Sequence, residues 1–197
     1  TIVVSVMGGL AFRKKFPGST ILFYLIITAL VIPSILISLG VGLLFNQAGI
    51  NVHWATSGYG SQLTWTLPFG LLIMFAVFNR FDKSFEEAAR DLGATSWQTI
   101  RYVVLPIIAP SLIGVALFGF TLSYDEFART LLTSGSRNTL PLEIYGMTTN
   151  VTSPVLYALG TLTTVFSLAV IVIFLGIVLL ATRHRASKGN DAGKGML

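Results

Sequence analysis

The 197-residue sequence contains no cysteine, which excludes disulfide frameworks and thiolate metal sites. Charge is scarce as well. Asp, Glu, Lys and Arg together make up 11% of the chain, against about 25% in an ordinary soluble domain. Hydrophobic residues make up 53%, so too little polar surface remains to cover a water-soluble globule. The bilayer is the expected solvent. Phosphate-binding chemistry is missing too: there is no Walker-type loop, and Gly40-Val41-Gly42 follows no strand and lacks a third glycine at the required spacing. The two histidines, His53 and His184, have no companion ligands nearby, so no metal site is expected. No internal repeat is visible, which speaks against the repeat-built secondary transporters.

What the chain does have is long uncharged runs. Four of them, Ser19–Phe45, Leu63–Asn79, Tyr102–Tyr124 and Val155–Thr182, contain no Asp, Glu, Lys or Arg. A membrane span takes roughly 20 residues. Prolines 33, 68, 106 and 110 lie within these runs, where kinks are tolerated if neighbouring groups satisfy the freed carbonyls. A shorter apolar piece, Thr1–Phe12, would cover about 18 Å as a helix. The chain does not begin with Met, and this piece reads as the tail of a helix whose start is absent, with at least one further span expected upstream. Trp54 and Trp65 flank one end of the second run and read as interfacial anchors.

The basic residues fall in blocks: Arg13-Lys14-Lys15; Arg80, Lys83, Arg90 and Arg101; and Arg183, Arg185, Lys188 and Lys194. Threading the chain alternately through a bilayer puts all three blocks, eleven of the 13 Lys and Arg, on one side. The positive-inside rule makes that side cytoplasmic. It also accounts for the net charge of +5 without a nucleic-acid partner. The expected fold class is therefore all-α, a polytopic transmembrane helical bundle forming one domain over residues 1–197, with the N-terminal span or spans missing or incomplete. A basic cytoplasmic tail at about 183–197 ends it.

Residues 84–98 interrupt the apolar pattern with SFEEAARDLGATSWQ. Ser84 and Glu87 have the spacing of a capping box, as do Thr95 and Gln98. Gly93 suits the position just past a helix end. Phe85, Ala88, Ala89 and Leu92 share one helical face, while Glu86 and Arg90 are expected to pair on the solvent side. The short helix carries Glu86, Glu87 and Asp91 against one Arg90, so an anionic inner leaflet would repel it. Docking into a protein groove is favoured over lying on lipid.

Glu87-Ala88-Ala89, Gly93 and Val103-x-Leu105-Pro106 resemble the EAA signature of ABC-importer permeases, with Val103 where that family has Ile. The resemblance runs from the Arg13-Lys14-Lys15 block to the last span. It implies a fold like the type I importer permeases and a coupling helix seated in a cleft of an ATP-binding subunit. Glu86, Glu87, Ala88, Ala89, Arg90, Gly93, Leu105 and Pro106 are the implied coupling residues. The implied partners are a second permease subunit, two ATP-binding cassette subunits, a periplasmic substrate-binding protein and the lipid bilayer, and the implied location is a bacterial inner (plasma) membrane. ATP and Mg would sit on the partner ATPase, with no cofactor on this chain, which is then a non-catalytic transport subunit.

Beyond the third span, Ser123-Tyr124-Asp125-Glu126-Phe127-x-Arg129-Thr130 and Thr139–Tyr145 look like the spermidine/putrescine group of these permeases. The resemblance implies a polyamine pathway, with Asp125, Glu126 and Glu143 as carboxylates and Tyr124, Phe127 and Tyr145 as cation–π faces. Permeases for aminoalkylphosphonates and opines are similar too. Equally, Arg129 could pair with Asp125 at i, i+4 or with Glu126 at i, i+3 as an ordinary helix pair. A stand-alone channel or secondary transporter would need charged or polar groups near the bilayer midplane, and the four runs carry no full charge.

Overall fold

The computed structural model describes residues 1–150 and 154–194, and every regular element among them is helical. In chain order these are α1 (Ile2–Phe12), α2 (Ser19–Val31), α3 (Ser34–Gln47), α4 (Tyr59–Asn79), α5 (Ser84–Asp91), α6 (Ser96–Thr99), α7 (Leu105–Tyr124), α8 (Leu140–Asn150) and α9 (Pro154–Lys194). A π-helical turn, Trp54–Gly58, leads into α4, and another, Ile100–Val104, joins α6 to α7. Trp54–Asn79, Ser96–Tyr124 and Pro154–Leu180 are each long and apolar enough to cross a membrane.

The first expected span is not one rod. It breaks at Ile32-Pro33, and α2 and α3 meet at 109°. Pro33 pushes Ile32 into extended backbone, φ −66° and ψ 129°, because the ring clashes with a helical preceding residue. Pro68 and Pro110, by contrast, lie inside helices that continue through them. Ahead of Pro106, which cannot donate to the carbonyl four residues back, the helix widens into its π-helical turn.

The chain divides into two compact units, residues 1–153 and 154–197. The second is α9, an uninterrupted helix. In the first unit α4 packs between α1 and α7. Met74 is fully buried at their junction, with Val6, Phe78, Val104, Ile108 and Val115 around it. Apolar side chains gain little by leaving lipid for protein, so such contacts rest on close fit. Here the fit comes from small residues. Ser5 and Gly9, one turn apart on α1, face Gly70, Met74 and Phe78 of α4. A Cβ on Gly9 would stand 2.7 Å from the Phe78 ring, and one on Gly70 would meet the Ser5 hydroxyl.

Candidate functional site

Two regions of the first unit carry the candidate residues. One is the segment between α4 and α7. α5 begins differently from the expected capping box. The Ser84 side chain caps nothing; the Ser84 N–H donates to the Asp82 carboxylate at 2.9 Å. The N-cap is Lys83, whose carbonyl takes at 3.1 Å the Glu87 N–H that the Ser84 hydroxyl was expected to accept, and Asp82, two residues before Ser84, forms an Asx turn. The Ser84 bonds hold the Asp82 carboxyl below its ordinary pKa. Helix α5 ends in a full Schellman motif: Ala94 N–H donates to Ala89 O at 3.0 Å and Gly93 N–H to Arg90 O at 2.8 Å. Gly93 has φ +83°, a backbone that costs a side-chain-bearing residue about 1–2 kcal/mol. Two residues on, Thr95 and Gln98 form the reciprocal capping box that opens α6.

The result is a helix, a left-handed glycine turn and a second helix, each end satisfied locally. Its surface is apolar and open. Leu92 is 90% exposed, and Phe85, Trp97 and Tyr102 are all more than half exposed. Ala88 and Glu87 are exposed, Ala89 is buried, and Leu92, Gly93, Gln98 and Tyr102 line a shallow groove. Glu86 departs from the solvent-side expectation. Its side chain is only 14% exposed and forms an ion pair with Arg13, while Arg90 lies at 4.0 Å from it, 60% exposed. The solvent-side pair with Arg90 is thus the weaker of the two contacts. Leu105 and Pro106 begin α7, where Leu105 packs against the core around Met74.

The other region lies at the far end of α7. A cavity of about 490 Å³ is lined by Tyr59, Gln62, Thr66, Phe120, Ser123 and Tyr124 among others. Ser123 donates to Gln62 across it, and Phe120 stacks on Tyr124 with ring centroids 5.5 Å apart. The lining holds hydroxyls, an amide and aromatic faces but no carboxylate. Of the six candidate pathway residues only Tyr124 lines it. Phe127 and Tyr145 do meet, at 4.8 Å between centroids. Glu143 accepts from Asn138 at 2.8 Å, and Asp125 is exposed at the C-terminal end of α7.

Glu126 is engaged elsewhere. Its carboxylate accepts from the Arg129 N–H at 2.9 Å and lies 4.0 Å from the Arg129 guanidinium, so the i, i+3 pairing is the one formed. Arg129 is completely buried, donates to Thr64 Oγ1 at 2.6 Å and sits 4.6 Å over the Trp65 ring. Trp65 is therefore a partner of a buried cation and more than an interfacial anchor. The loop after α7 is clamped by hydroxyls. Ser57 donates to Thr133 O at 2.7 Å, Ser61 and Thr133 share a bond of 3.0 Å, and Leu132 N–H donates to Ser38 at 3.0 Å. Sequence reasoning missed this knot, because its serines and threonines have no motif spacing. Ser38 alone lies inside an apolar run, and Ser57, Ser61 and Thr133 fall in polar connections where such residues are ordinary.

Comparison with known proteins agrees with these features. The chain matches the family described as binding-protein-dependent transport system inner membrane component over residues 2–186. It is 29% identical over 173 residues to the spermidine/putrescine transport system permease protein PotC of Escherichia coli (strain K12), covering 87% of this chain and 65% of that protein. Similarity also extends to the putrescine transport system permease protein PotI of the same strain, 30% over 154 residues, covering 75% and 55% of the two chains. To the sulfate transport system permease protein CysT of that strain it is 29% over 136 residues, covering 63% and 49%. The chain thus spans just under two thirds of the first relative's length. With a match over nearly its whole length, a cysteine-free, strongly apolar sequence and a locally capped helix–turn–helix between two spans, this chain belongs to the family of binding-protein-dependent transport system inner membrane components.

Proposed function

We propose that the chain is a permease subunit of an ABC importer, forming half of a translocation path with a second permease subunit. The observation that carries this reading is the segment 84–98. It is fixed at both ends by its own hydrogen bonds, yet presents Phe85, Leu92 and Trp97 to solvent. An acidic helix with an open apolar face, joined to spans on either side, fits a groove on a partner ATPase better than an anionic membrane surface. ATP binding would close two ATPase subunits, draw the α5 helices together and bias the spans toward the outward-facing state; hydrolysis would reverse the bias. This chain has no phosphate loop, so hydrolysis belongs to the partner.

For the cargo, the relatives named for spermidine and putrescine support a polyamine, delivered by a periplasmic binding protein. Exposed Asp125, two residues before Phe127 of the Phe127–Tyr145 ring pair, offers a cation attraction and a soft surface. One observation favours a second reading, another small organic solute such as an aminoalkylphosphonate or opine: the cavity lining holds no carboxylate. A solute recognised by hydrogen bonds would suit it as well as a polycation.

Two measurements test the proposal. Tagged permease complex should retain an ATPase subunit stoichiometrically, and Gly93→Pro or Glu87→Lys should abolish uptake while leaving the permease inserted in the membrane. Wild-type uptake in both variants would sink the docking model. Stimulation of ATP hydrolysis in the reconstituted complex, with its binding protein, across polyamines, aminophosphonates and amino acids would rank the cargo.

A further inference from the structure

We infer that the Arg13–Glu86 ion pair is a positioning device that ties α5 to the membrane-spanning helices, so that displacement of α5 is passed to α1 and α4. The inference rests on the docking role proposed for α5 and adds the side chains that carry its motion.

Helix α5 is poorly anchored otherwise. Ala89 is its one buried residue, and Phe85, Ala88 and Leu92 are exposed. Its connections to α4 and α6 are short loops, which fix its ends without fixing its rotation about its own axis. Glu86 sets that rotation. Its carboxylate reaches Arg13, 73 residues away, at the C-terminal end of α1. The same guanidinium lies over two rings, Phe78 at 5.4 Å and Phe81 at 5.3 Å. Phe78 belongs to α4 and fills the space left by Gly9 of α1; Phe81 lies between α4 and α5 and contacts the Phe85 ring at 6.5 Å between centroids. One cation therefore touches the end of α1, the end of α4, the α4–α5 connection and the first turn of α5.

The chemistry suits transmission. A guanidinium is planar and stays charged, so it can pack its faces on rings while its edge donates to a carboxylate. Both side chains are about 15% exposed, so solvent screens the pair less than it does a fully exposed one. The alternative partner, Arg90, is exposed and at 4.0 Å, a screened contact of little weight. Among the described residues no other ion pair connects α5 to α1 or α4.

The test uses the full complex in liposomes, with its ATPase subunits and binding protein, and Arg13→Glu, Glu86→Arg and the double exchange. Spermidine is the transported probe. Arg13→Glu is expected to keep the ATPase subunit and hydrolyse ATP while uptake per ATP falls about tenfold, an ordinary coupling between sites, and Glu86→Arg should lower uptake at least as far. The double exchange should recover part of the loss, because it restores the attraction with the signs reversed but not the cation's contacts with the Phe78 and Phe81 rings. A second readout needs no cargo. Spin labels on cysteines introduced at Met7 and Asp91, in a chain with none of its own, should keep one distance through the ATP cycle in the wild type. In Arg13→Glu that distance should change. Single variants with wild-type uptake and an unchanged distance would overturn the inference, as would a double exchange no better than the worse single, or an Arg13→Glu complex that sheds the ATPase. A wild-type complex that holds no ATPase would instead overturn the docking role itself.

Discussion

Arg129 carries a full charge at zero exposure, a placement that costs several kcal/mol per ion unless nearby groups offset it. Its offsets are a carboxylate at 4.0 Å, one hydroxyl at 2.6 Å and an indole face at 4.6 Å. Removing the cation strands Glu126, whose side chain is 11% exposed. Arg129→Met is therefore expected to cost about 3 kcal/mol, the usual scale for breaking a buried pair. Adding Glu126→Gln should return most of that, since the amide oxygen can still accept from the Arg129 backbone N–H position. Thermal unfolding of the detergent-purified variants decides it; a double variant no more stable than Arg129→Met would show that the pairing is immaterial. Arg129→Lys should also lose stability, because a lysine cannot lay a flat cation on Trp65.

At the scale of the element, α5 makes a pH-dependent claim. The bonds from Ser84 stabilise the ionised Asp82, so its folded pKa lies below the unfolded value. Their contribution is complete above the unfolded pKa and is lost as pH falls through the lowered folded one. Hydrogen exchange of the first-turn amides of α5 should accelerate over that acidic window in the wild type. In Asp82→Asn, which accepts at every pH, it should not, and in Asp82→Ala it should be fast throughout. Exchange in Asp82→Ala matching the wild type at neutral pH would remove Asp82 as the cap. The packing of α1 makes a second claim. Gly9→Leu puts a branched side chain where a lone Cβ already stands 2.7 Å from the Phe78 ring. Overpacking typically costs about 1–3 kcal/mol, so α1 should lift from α4 and expose its Ser5 face to labelling.

These elements also mark what a sequence can disclose. The Thr95–Gln98 box and the Gly93 turn were legible because their partners lie within a few residues. The Ser84 box failed because the helix is capped one residue earlier, where the Lys83 carbonyl takes the Glu87 N–H. Arg13–Glu86 and Arg129–Thr64 join residues 73 and 65 positions apart, and nothing local announces them. Pro33 announced a break but not its 109°. Of the outer candidates, Tyr124 alone lines the cavity, because charge pairing rather than proximity in sequence decides where Glu126 turns.

For the whole molecule, the strongest constraint is the distribution of charge against the spans. Eleven of 13 Lys and Arg fall on one side of the threading, and each cationic residue near the inner surface gains about 1 kcal/mol from anionic lipid. The opposite orientation would forfeit that gain many times over, so one topology should dominate. It sets Leu92, 90% exposed, in the cytoplasm, and Ser136, exposed in the loop after α7, on the outer side. Residues 1–197 contribute no thiol of their own, so labelling is read as the gain over the same protein without the introduced cysteine. A membrane-impermeant maleimide added to intact spheroplasts should modify Ser136→Cys and spare Leu92→Cys, which should react only after the membrane is permeabilised. Labelling of Leu92→Cys in intact spheroplasts would put the helix–turn–helix outside, beyond the reach of any ATPase, and the proposed coupling would fall with it.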